Sequence, residues 1–123
     1  MSVRGIRGAI TVDANDAKEI ANATLEMISS VVAQNELVAA DICSVMITVT
    51  NDLDETFPAQ SIRQLAGWEY VPLMCALEVP VKGSLKRCIR VLLHVNTDKT
   101  QAEIQHVYLA GAKVLRPDLV NIK

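Results

Sequence analysis

One stretch of this chain carries a long helical period, and almost every other apolar segment reads as strand. Ile20, Ala23, Met27, Ile28 and Val31 recur at helical spacing, while Lys18, Glu19 and Glu26 point elsewhere. Asp13 or Asn15 can cap this helix, which is expected to run to about Asn35. A single amphipathic helix must bury its stripe on something, and a sheet is what the rest of the sequence offers. Residues 3–12 alternate, with Val3, Gly5, Arg7, Ala9 and Thr11 on one face and Arg4, Ile6, Gly8, Ile10 and Val12 on the other. Ile42 to Thr50 is apolar and rich in β-branched residues, the pattern of a well-buried strand. Tyr70 to Leu77 reads as a third strand, which Pro72 pushes to a sheet edge or bulge. Cys88 to Val95 is the strongest strand, and His106 to Leu109 a short one. Pro58 suits the first position of a short helix that Gly67 would end, and Thr97 to Gln105 can form a helical turn. The expected fold is α+β, a mixed β-sheet packed against one long helix and a short helix. Residues 1–123 are expected to form a single domain, with 117–123 as a mobile C-terminal tail.

Composition narrows the function classes. The 123 residues carry 12 basic and 14 acidic side chains, a net charge of −2, and half of them are hydrophobic. That balance excludes intrinsic disorder. With aromatics at 3% it also argues against nucleic-acid binding, which calls for a basic surface and stacking rings. No run approaches the ~20 apolar residues of a membrane span. The opening MSVRGIRGAITV carries arginines inside its apolar stretch, unlike a signal peptide. Cys43, Cys75 and Cys88 give neither a disulfide framework nor zinc spacing, so a reduced, cytoplasmic setting is expected. So large an aliphatic share on a small chain suggests that part of it is covered by another subunit.

Familiar catalytic signatures are missing from the sequence. There is no GxSxG elbow, GxGxxG fingerprint or P-loop. His94 and His106 have no acidic or cysteine partner at ligand spacing, so no metal is expected and both read as ordinary strand or turn residues. Asp52, Asp54 and Glu55 read as a solvated turn. Arginines stand out instead. Arg7 lies mid-strand among Gly5, Ala9 and Thr11, small neighbours that leave space above the sheet for its guanidinium. Arg90 shares its strand face with Cys88, Leu92 and His94, and a mid-strand arginine there needs an anion or water. Arg63 falls on the short helix and Arg116 precedes Pro117, which forces extended backbone. Each alone fits an exposed side chain or an ion pair. Four arginines from four elements make a shared anion site worth testing, because guanidinium forks match carboxylates bidentately. Glu78 fits an exposed loop carboxylate or an acceptor for a substrate hydroxyl. Tyr108 fits a buried phenol or a donor to a carboxylate. Cys75 lacks an activating histidine in sequence and is not read as a nucleophile.

Four segments together resemble one family: RGIRGAITV, FPAQSIRQLAGWEYVPLMC, GSLKRCIRVLLHVNT and HVYLAGAKVLRPDL. They look like the monofunctional, trimeric chorismate mutases of the sheet-containing, Bacillus-type class, in order and along essentially the whole chain. The resemblance implies an intramolecular Claisen rearrangement of chorismate to prephenate on the route to phenylalanine and tyrosine. It implies no cofactor, no metal and no covalent intermediate. It also implies a homotrimer forming a pseudo-α/β barrel, with active sites in clefts between subunits. Carried over by motif, Arg90 would sit by the ether oxygen and a substrate carboxylate. Arg7 and Tyr108 would hold the side-chain carboxylate, and Glu78 would accept the ring hydroxyl with Cys75 beside it. Arg63 and Arg116 would lie toward the mouth, with Phe57, Ala59, Leu73, Met74 and Leu115 as walls, some from the neighbouring subunit. The sequence departs from the family pattern at Gln60, in place of lysine, and at Met74, in place of a smaller polar residue.

Two other readings compete. One is an enamine or imine deaminase of a similar trimeric architecture, which also holds a carboxylate by arginine at an intersubunit cleft. The other is a non-catalytic trimer that binds a small carboxylate.

Overall fold

A computed structural model describes residues 2–116; the tail expected at 117–123 lies outside the described residues. The long helix, α1, spans Ala17–Asn35, and its cap is Asp16, not Asp13 or Asn15. Asp16 holds extended backbone while its carboxylate accepts the Glu19 N–H, satisfying one of the donors a helix start leaves unpaired. Asn15 instead exchanges hydrogen bonds with Asp54 across a loop. Five strands fall within or near the expected segments: β1 (Ser2–Thr11), β2 (Ile42–Val49), β3 (Leu73–Leu77), β4 (Cys88–Thr97) and β5 (Val107–Tyr108). β3 starts at Leu73 and not at the expected Tyr70, because Tyr70 lies exposed in the turn before Pro72, and β5 keeps only two of the four residues expected. The short helix α2 covers only Ala59–Arg63, with Pro58 as its cap; it stops before Gly67, which takes φ +87° in the turn beyond.

The sheet order is β3-β2-β4-β1-β5. β4 runs antiparallel to both β1 and β2, while β5 is parallel to β1 and β3 parallel to β2, so the sheet is mixed. β3 occupies an edge, where Pro72 costs no ladder bond and its carbonyl accepts the Val45 N–H. Both α1 and α2 lie on one face. Ile20, Met27, Ile28 and Val31 of α1 pack with Ile6, Ile10, Val45, Ile47, Val91 and Leu93 in the core, joined by Ile62 of α2 and Trp68. Gly8 is where helix and sheet approach most closely. A Cβ there would meet Val91, Val31 and Met27 at 3.0, 3.1 and 3.2 Å. The helical turn expected from Thr97 to Gln105 is reduced to a 3-10 turn at Gln101–Glu103.

Asp52 is more than a solvated turn residue. Its carboxylate accepts the Arg87 N–H at 3.0 and 3.1 Å and the Thr50 hydroxyl, fixing the entry into β4.

Candidate active site

Strand alternation sorts the sheet into a helix-covered face and an open face. Register then aligns open-face residues from different strands. Thr48 of β2 pairs with Arg90 of β4, Arg90 with Ala9 of β1, and Ala9 with Tyr108 of β5. Glu78, one residue beyond β3, closes the other end of this transverse row. Its carboxylate accepts the Thr48 hydroxyl, and Oε2 lies 3.4 Å from Arg90 Nε. Arg7 stands on the same face two residues before Ala9, opposite Leu92. Its neighbours Gly5 and Ala9 are too small to cover it, and its side chain is exposed.

Arg7, Arg90, Tyr108, Leu115 and Arg116 line one cavity of about 150 Å³. Three arginines and a tyrosine thus border one concavity. The Nε of Arg90 is buried and makes no hydrogen bond, although the ion pair with Glu78 lies close by. A charged donor that has an ion-pair partner but no well-formed hydrogen bond keeps bonding capacity for an incoming anion. Beneath it, burial pushes the Cys88 thiol up, against the pull of Arg90. Cys88 therefore stays a neutral thiol and leaves the arginine's charge to other partners.

Other candidates fall elsewhere. Phe57 and Cys75 line a separate groove of about 550 Å³, with Leu53, Pro58 and Leu77 among its walls. Phe57 is 74% exposed at its edge. Cys75 pairs with Ile47 and so points to the helix-covered side, the face opposite Glu78. The two are three residues apart in sequence but not side by side within one protomer. Leu73 also points to the helix side, whereas Met74 is 64% exposed on the open face of the edge strand. Arg63 ends α2 in solvent, apart from the arginine cavity. Ala59 is 2% exposed and packed in the core, so its side chain offers no wall within the protomer.

Two residues at the site carry no functional reading in the sequence: Thr48 draws none, and His106 reads as an ordinary strand or turn residue. Thr48 could have been found from the alternation of β2, because it shares a face with Ser44 and Met46. His106 could not. Its Nδ1 accepts the Arg7 backbone N–H at 2.9 Å, a contact across 99 positions. His94 fits the ordinary strand role expected for it, within 3.2 Å of the Ser44 hydroxyl. Among the described residues, no three His, Cys, Asp or Glu side chains gather as a metal site, and no helix is long and apolar enough to cross a membrane.

Comparison with known proteins places the whole chain in one family. Residues 3–119 match the family described as chorismate mutase type I. The chain is 44% identical over 119 residues to chorismate mutase AroH of Bacillus subtilis (strain 168), covering 97% of this chain and 94% of that protein. It is 48% identical over 118 residues to chorismate mutase AroH of Thermus thermophilus, covering 95% and 96% respectively. A solved structure, the chorismate mutase from Clostridium thermocellum Cth-682, superposes with a TM-score of 0.87 at 50% identity, covering 90% of this chain and 98% of that one. With the family match spanning nearly all of its length, the chain belongs to the type I chorismate mutases.

Proposed function

We propose that this chorismate mutase converts chorismate to prephenate at sites shared between neighbouring protomers of a homotrimer. The open-face cations of one protomer and the α2–β3 groove of the next would enclose each substrate. The observation that carries this reading is the convergence of Arg7, Arg90, Arg116 and Tyr108 on one cavity, with Glu78 paired to Arg90 from the far side. Chorismate has two carboxylates, so its binding calls for cations held in place. A cavity of about 150 Å³ is small beside the ~300 Å³ at which ligand pockets begin, as expected of half a site. The groove at Phe57 and Cys75 faces away from it, so a second protomer supplies the missing wall. Exposed Met74, Leu77, Val79 and Val81 around β3, and Leu92 on the open face, offer the apolar surface such a contact needs.

The rearrangement breaks a carbon–oxygen bond before the new carbon–carbon bond is complete, so negative charge grows on the ether oxygen. Arg90 beside that oxygen stabilises the transition state more than the ground state, the condition for acceleration. Arg7 and Tyr108 hold the side-chain carboxylate. Glu78 accepts the ring hydroxyl and suits the complementary positive charge on the ring. Clamping both ends selects the compact, chair-like conformer. No proton moves, so neither a general acid nor a general base is required. Even the low end of enzymatic acceleration asks for ~8 kcal/mol, within reach of a fixed cation plus conformer selection.

Mixed assemblies test the shared site. Arg90→Ala and Phe57→Asp, the latter placing a like charge before a dianion, are each expected to turn over chorismate slowly. Co-assembled, they regain activity in the ultraviolet decay of chorismate, because some interfaces then join two intact halves. Mixtures no faster than their parents would rule out sites built from two protomers.

A further inference from the structure

β5 is two residues long, and its ladder with β1 begins only at Gly8 opposite Val107. One position earlier the Arg7 N–H points toward β5 with no strand carbonyl to meet it. Its acceptor is the imidazole of His106, Nδ1 to N at 2.9 Å. A backbone N–H can only donate, so Nδ1 carries the lone pair, and the neutral ring's proton sits on Nε2. The same ring borders a hollow of about 330 Å³ with Arg7, Gln101, Ala102, Ile104, Gln105 and Arg116. Two of those side chains, Arg7 and Arg116, also line the arginine cavity.

The geometry points to neutral His106 as a positioning residue for the mutase reaction, standing in for the missing ladder carbonyl and holding Arg7 in register with Tyr108. This rests on the reading that those two side chains bind the substrate's side-chain carboxylate. Nothing in the chemistry of the rearrangement needs a histidine, so its contribution is to geometry alone. From the opposite side the segment is secured by Asn35 at the end of α1. Its amide donates to the Gln105 carbonyl and accepts the Gln105 N–H, both at 2.8 Å. His106 and Asn35 thus grip consecutive residues just ahead of β5.

Protonation would undo the contact at His106. An Nδ1–H facing an N–H sets two donors against each other, and the ring would add a third positive charge beside Arg7 and Arg116. Burial first, then the charges of Arg7 and Arg116, hold the imidazole below its ordinary 6.5. The other residues bordering its hollow, Gln101, Ala102, Ile104 and Gln105, carry no carboxylate that would favour the charged form, and Glu103 between them spends its carboxylate on the Thr100 N–H. The proton therefore arrives only below pH 6.5, while the carboxylates of chorismate remain ionised.

Steady-state kinetics of chorismate decay test the assignment, with a solution mass and a thermal unfolding midpoint for every variant. His106→Ala is expected to raise KM roughly fivefold, the worth of one hydrogen bond that water replaces only in part, with kcat within about twofold. His106→Asn presents Oδ1 where Nδ1 was, and returns KM to within about twofold of the parent. The parent loses kcat/KM as pH falls below 6.5, whereas His106→Asn, having no proton to gain there, holds its value further into acid. An unchanged KM in His106→Ala, or the parental acid limb persisting in His106→Asn, overturns the assignment. An Arg7→Ala control separates the two levels. If it binds chorismate normally the site reading itself falls, and if it does not while His106 is indifferent, only the positioning role falls.

Discussion

Arg90 carries two pieces of information that pull in different directions. Its Nε is buried without a well-formed hydrogen bond, yet Glu78 Oε2 stands 3.4 Å away as an ion-pair partner. An ion pair so placed keeps the guanidinium aimed across the open face without fully satisfying it, a state that favours an arriving oxyanion. Arg90→Ala should therefore cost on the order of a hundredfold or more in kcat, the scale of losing a donor aimed at developing charge. Arg90→Lys restores the charge but not the planar fork and should stay well below the parent. Chorismate decay measured side by side decides this; near-parental turnover by either variant would defeat the role given to Arg90. Its candidacy was legible from alternation alone, since Ile89, Val91, Leu93 and Val95 claim the core face. Its partnership with Thr48 was not, because cross-strand neighbours depend on a register that no single segment encodes.

At the scale of elements, the site depends on how tightly α1 grips β1 and the approach to β5. Gly8 faces α1 with no room for a methyl group, so Gly8→Ala should lift the helix or shift the strand. The expected loss is about 1–3 kcal/mol of stability, read as a lower denaturation midpoint, with Arg7 disturbed in consequence. Asn35 is buried and makes three hydrogen bonds, to the Val31 carbonyl and to both backbone groups of Gln105. Asn35→Ala strands the Gln105 N–H and C=O, and should cost about 2–4 kcal/mol, detectable by chemical denaturation. A neutral result would mean water enters and replaces the amide. The helix itself was readable from its stripe, but its start was not. Asp13, Asn15 and Asp16 are all competent caps, and the loop contact between Asn15 and Asp54 leaves the role to Asp16. Similarly, Asp52 looked like a surface turn because its partner, the backbone of Arg87, is 35 residues away.

At the scale of the whole molecule, α1 and α2 cover one face of the sheet. The other is covered only in part, by a small cluster of Ala9, Cys88, Tyr108 and Ala112 under the 3-10 segment Ala110–Leu115, and apolar side chains stay exposed along β3 and the loop after it. The aliphatic excess of the sequence thus has a place, and a homotrimer is expected to bury it. A solution mass near three times 13.4 kDa, unchanged on dilution to working enzyme concentrations, is the predicted result, and a stable active monomer would refute it. The sequence by itself determined the periods: one helix, the alternating strands, the edge or bulge that Pro72 demands, and the motifs that identify the family. Those are local properties, written in steric preference and in the need to bury one face. Only the tertiary structure decided which side chains meet. It aligned Thr48, Arg90, Ala9 and Tyr108 in one row, turned Cys75 away from Glu78, and set His106 against Arg7. The physical reason is that strand register and helix docking are fixed by packing between segments up to a hundred residues apart. The free energy that selects them belongs to the assembled core and to no stretch of chain within it.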